Sequence, residues 1–91
     1  MEINMAGYGY MEAGRLGEAL ALLRFNTQRF PTSPNAHDSL GEALEKGDQL
    51  EQAVAEYRKA CELGAAQQDE RASTFKANLE RASAALSKKS Q

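Results

Sequence analysis

The chain repeats itself at a spacing of 34 residues. Gly7, Leu16, Ala19, Ala21 and Arg24 return as Gly41, Leu50, Ala53, Ala55 and Arg58. Where identity is not kept, apolar bulk is: Tyr10 returns as Leu44, Leu20 as Val54 and Leu23 as Tyr57. A fixed period of this length points to stacked helix–turn–helix units, each burying a face only against its neighbours. That places the chain among interaction scaffolds before any catalytic question arises.

Local signals fill in the units. A first helix reads from Ile3 to Ala13 and stops at Gly14, a residue suited to a left-handed C-terminal position. Leu16, Ala19, Leu20, Leu23, Thr27 and Phe30 follow at helical spacing and end at Pro31. Ser33 then offers a hydroxyl to cap free N–H groups, with Pro34 in the first turn. The third helix runs through Leu40 and Leu44 to Lys46 and stops at Gly47-Asp48. The fourth carries Leu50, Ala53, Val54, Tyr57 and Cys61 and fades at Gly64. A fifth presents Phe75, Leu79, Ala82 and Leu86 on one face. Asp69 and Glu70 stand near its start and Lys88 and Lys89 near its end, as the helix dipole favours. No strand pattern occurs. The expectation is an all-α domain with a first unit over 1–33, a second over 34–67 and a terminal helix over 68–91.

Composition bounds the function. A net charge of −2 leaves no large positive field for a phosphate backbone, which argues against nucleic acid. No stretch approaches the roughly 18 apolar residues of a membrane span, and no basic segment precedes an apolar run at the N-terminus. Neither an anchor nor a signal peptide is therefore expected. Cys61 is the one cysteine, so no internal disulfide can form, and it reads as a half-buried apolar residue.

On these residues the chain resembles the tetratricopeptide repeat family. The second unit supplies His37, Leu40-Gly41, Leu44, Ala53, Tyr57 and Ala60 at the positions of that pattern. The first supplies Ile3, Ala6-Gly7, Tyr10, Ala19, Leu23 and Pro31, with Asn26 in place of the last alanine. The resemblance implies an α–α superhelix of two repeats, covering residues 1 to about 66. The fifth helix departs from the pattern, with Phe75 where it wants glycine and Asn78 where it wants an aromatic. It reads as a cap for the last apolar face. Gly41 and Ala53 are small where two helices of a unit approach closely.

The strings Asn4…Gly7-Tyr8, Asn35 to Ala43 and Phe75 to Glu80 also resemble repeat modules appended to bacterial serine hydrolases of the esterase and β-lactamase-like kind. That resemblance implies an accessory C-terminal module, periplasmic or secreted with its enzyme. A free-standing adaptor would instead be cytoplasmic.

No catalytic constellation stands out. His37-Asp38-Ser39 contains the residue types of a hydrolase triad, but consecutive helix residues point about 100° apart and cannot form a relay. Gly7-Tyr8-Gly9 lacks the third glycine and the preceding strand of a nucleotide loop. Gly7 has a packing role; Gly9 has none, and inside a helix it costs about 1 kcal/mol relative to alanine. Asp38, Glu42 and Glu45 share one side of the third helix without His or Cys support, which reads as a solvated acidic face rather than an ion site. No enzyme, no metal and no cofactor are expected.

In the resembling family the first helices of the units line a concave groove that receives a peptide or protein segment. Carried over, the groove residues are Asn4, Tyr8, Met11 and Glu12, then Asn35, Asp38, Glu42, Glu45 and Lys46. Carboxylates stand where a clamp for an anionic terminus needs cations, so the expected ligand is basic or neutral with an apolar anchor near Tyr8 and Met11. The first helix, with Ile3, Met5, Tyr8, Tyr10 and Met11, also offers an apolar surface for a homodimer or an upstream domain of the same chain.

Overall fold

A computed structural model describes the backbone of residues 4–89 and the side chains from Gly7 onward. It is all helical: α1 (Asn4–Glu12), α2 (Leu16–Arg29), α3 (Pro34–Lys46), α4 (Leu50–Ala66) and α5 (Ala72–Lys89). Each helix packs on the next, and α1 also touches α3. Short turns between packed neighbours make consecutive helices antiparallel.

The 34-residue period has a packing cause. A Cβ at Gly7 would stand 2.5 Å from Leu23 Cδ2, and one at Gly41 would stand 2.7 Å from Tyr57 Cδ1. Both pairs join the first helix of a unit to the second, and both partners are fully buried. Glycine at these two positions lets the helices close on a large side chain. Ala19, Ala53 and Ala60, all at 0% exposure, are small residues buried between the helices at other points. The central core gathers Leu23, Leu40, Leu44, Val54 and Tyr57, and α5 adds Ala82.

The turn signals are met with two adjustments. Gly14 takes a positive φ of 78°, and Ser33 Oγ accepts from the Ala36 N–H at 3.1 Å. At the end of α3 the left-handed residue is Asp48, with φ 61°, while Gly47 stays at φ −85°. α4 does not end at Gly64. It continues to Ala66, and Gln68 takes the left-handed turn with φ 53°. Gly64 lies inside the helix, where a Cβ would stand 2.9 Å from Phe75 Cδ2. Asp69 and Glu70 stand just before α5; Asp69 Oδ1 accepts from the Arg71 N–H at 2.8 Å, closing the turn before the helix. Lys88 and Lys89 do occupy the last turn. Ile3, the expected start of α1, lies outside the described residues, and so do the side chains of Asn4 and Met5.

Candidate functional site

One surface runs across α1, α3 and α5, and α3 supplies most of it. Tyr8 marks its α1 edge. Its ring is half-buried, and Ser39 Oγ on α3 donates to its hydroxyl oxygen at 3.4 Å. Burial pushes the phenol up to about 12, with Glu42 adding to the rise and Ser39 opposing it. Tyr8 is therefore a neutral hydroxyl beside a carboxylate.

On the other side, side chains of α5 reach α3 and bond two of the three carboxylates. Asp38 is 6% exposed, and Asn78 Nδ2 donates to its Oδ1 at 2.9 Å. Burial raises Asp38 to about 6, against the Asn78 hydrogen bond. Glu45 accepts two hydrogen bonds from Arg81, from Nε at 3.0 Å and Nη2 at 2.7 Å, and a third from the buried Tyr57 hydroxyl at 2.7 Å. Arg81 holds the Glu45 carboxyl below the usual glutamate range, against burial. Arg81 Nη1 also donates to Asn78 Oδ1, so the two α5 residues and the two α3 carboxylates form one network.

The acidic face of α3 is thus not solvated along its length. Asp38 is desolvated by burial and bonded to Asn78, and Arg81 of α5 pairs Glu45 with a guanidinium. Glu42 keeps a half-buried carboxylate that lines an open depression of about 390 Å³ with Glu45, Lys46 and Arg81.

The remaining groove residues separate. Lys46 is exposed at the same depression, Glu12 is exposed at the end of α1, and Asn35 is half-buried in the first turn of α3. Met11 packs on the central core rather than standing open beside Tyr8. The Asn4 side chain lies outside the described residues. Arg81 and Asn78 belong to this surface and were not among the expected residues.

His37, Asp38 and Ser39 send their side chains to three different places: Glu56 and Pro31, Asn78, and Tyr8. They do not converge on a reacting atom. Among the described residues no group of three or more His, Cys, Asp or Glu side chains is placed to hold a metal ion. No described helix is long and apolar enough to cross a membrane. Cys61 is half-buried, and burial raises its thiol, helped by nearby carboxylates.

A second surface lies on the α1–α2 side. Phe25 is 50% exposed and borders an apolar depression with Tyr10, Ala21 and Leu22. Arg29 stands over its ring at 5.9 Å, and Arg15 over the Tyr10 ring at 5.1 Å.

No protein-family model matches the chain, and no curated protein or solved structure matches it either.

Proposed function

We propose that the chain is a non-catalytic interaction module of the tetratricopeptide-like kind, two repeats and a capping helix, which binds a peptide or protein segment along α1, α3 and α5. The observation that carries this reading is the recurrence of one close approach. Gly7 on Leu23 and Gly41 on Tyr57 give α1 and α3 the same close approach to their partner helices, and α1 also touches α3, which supports a face common to the two.

The chemistry of that face favours a partner segment that is basic or neutral. Tyr8 offers an uncharged hydroxyl and an aromatic edge, and Glu42 a carboxylate that pairs with no cation among the described residues, unlike Glu45 with Arg81. A basic side chain placed between them gains a charge-assisted hydrogen bond without displacing the α5 network.

The test is selection of phage-displayed random peptides on the parent chain, followed by titration of the selected peptides into parent and Glu42→Arg chains. Reversing that charge is expected to weaken binding roughly tenfold, about 1.4 kcal/mol, with helical content unchanged. Peptides that bind both chains equally would exclude this face.

The half-exposed Phe25 favours a second reading, in which the Tyr10–Phe25 depression meets a second copy of the chain or an upstream domain. A molecular mass that rises with concentration, and falls back in Phe25→Ser, would support the homodimer.

A further inference from the structure

His37 is the one histidine of the chain, and it is held from both sides. Its side chain is 8% exposed. Nδ1 lies 2.8 Å from Glu56 Oε1 on α4, and Nε2 lies 2.8 Å from the carbonyl oxygen of Pro31, in the turn between α2 and α3. Both partners are acceptors. A carbonyl has no proton to give, and neither has an ionised carboxylate. Neutral imidazole carries a single N–H and satisfies one of them, leaving a ring lone pair aimed at the other. Imidazolium donates to both.

Glu56 is suited to be the counterion. Burial pushes its carboxyl up, but the His37 hydrogen bond and the charge of Lys59 outweigh that and hold it below the usual glutamate range. Lys59 Nζ stands 3.5 Å from Glu56 Oε2, so the carboxylate is shared between two cations. The hydrogen bond to Glu56 raises His37 above 6.5, against burial and the charge of Lys59, with the Pro31 carbonyl adding to the rise. Glu56 and Lys59 are the charges acting on the ring from α4, and Glu62 of the same helix lines the depression beside it. The turn contributes a carbonyl and no charge.

The turn that His37 grips joins the two units. A second grip comes from the end of α4, where Gln67 Nε2 donates to the Thr32 carbonyl at 2.7 Å. One of these attachments can titrate and the other cannot.

We propose that His37 is a proton-gated clamp between the two units: as imidazolium it ties the Pro31 carbonyl to Glu56 of α4, and on losing its proton it releases one of them, leaving the turn on Gln67. The direction follows from linkage. A histidine whose proton is held more tightly in the folded chain adds stability below its unfolded value, near 6.5, and loses it as pH rises through the higher folded value. The clamp is closed below the unfolded value and opens as pH rises through the higher folded one. It does not depend on what the α1–α3–α5 face binds.

The single histidine allows a direct test in the unmodified chain. Ring resonances of His37 are followed by NMR from about pH 5 to about pH 9, across the range where histidine titrates. Exchange of the Ser33 amide, bonded to the Phe30 carbonyl at 3.0 Å, is followed in the same samples. The expected result is a doubly protonated ring at about pH 6 and a midpoint above that of the urea-unfolded chain. Ser33 exchange should then rise roughly tenfold beyond base catalysis, with the same midpoint, for each unit by which the ring is shifted. Glu56→Gln keeps an acceptor but removes the charge, and should bring the midpoint down. A neutral ring at about pH 6, a midpoint at or below the unfolded value, an unmoved midpoint in Glu56→Gln, or Ser33 exchange without that inflection would each overturn the clamp.

Discussion

Gly64 and Phe75 fill one space from two sides: a Cβ at Gly64 would stand 2.9 Å from Phe75 Cδ2, and the ring is 1% exposed. One period earlier the bulk sits the other way round, with Phe30 at the place of Gly64 and Gly41 at the place of Phe75. α5 therefore docks on α4 through an exchange of large and small residues. Gly64→Val should overpack this contact and lower stability by about 1–3 kcal/mol in urea unfolding. With Phe75→Ala already in place the same change should cost markedly less, since the two sites share one volume. An equal cost in both backgrounds would mean that the ring is not what excludes the side chain.

Gly9 is the opposite case. It is exposed inside α1, and a Cβ there would meet nothing within 4 Å. Gly9→Ala should raise stability by roughly 0.5–1 kcal/mol, the helix-propensity difference. A lowered urea midpoint would contradict a helical, unpacked Gly9.

Asp38 makes stability fall with pH. Burial raises it from 3.8 to about 6, so the folded chain holds this proton more tightly than the unfolded chain. Its contribution is complete below the unfolded value and is lost as pH climbs through the folded one. Asp38→Asn keeps an oxygen to accept from Asn78 and removes the ionisation. The variant should gain on the order of 1–3 kcal/mol over the parent at neutral pH and no advantage in strong acid. Urea midpoints across the range would show it, and a parallel offset at every pH would contradict it.

These features differ in how far a linear pattern could reveal them. The five helices, the Ser33 cap and the left-handed Gly14 were legible because each rests on residues a few positions apart. The end of α4 was not. Glycine reads locally as a stop, whereas Gly64 is demanded by a side chain from the next helix. The α3 carboxylates were legible as one helix face, but no periodicity tells which helix covers that face. Asn78 and Arg81 come from far along the chain, and a partial signal lay in the charges. Carboxylates outnumber cations seven to three between positions 34 and 67, and cations outnumber carboxylates five to three from 68 on. The His37–Glu56 pair was hidden by the repeat itself, because its counterparts one period earlier are Ile3 and Leu22.

The proposed binding face is tested most directly by an amide shift map of the isotope-labelled chain, titrated with a peptide selected on it. The largest changes are expected at Tyr8, Ser39, Glu42 and Lys46, along the proposed α1–α3 face. Changes centred on Leu22 and Phe25 instead, with that face silent, would contradict it and move the binding surface to the α1–α2 side.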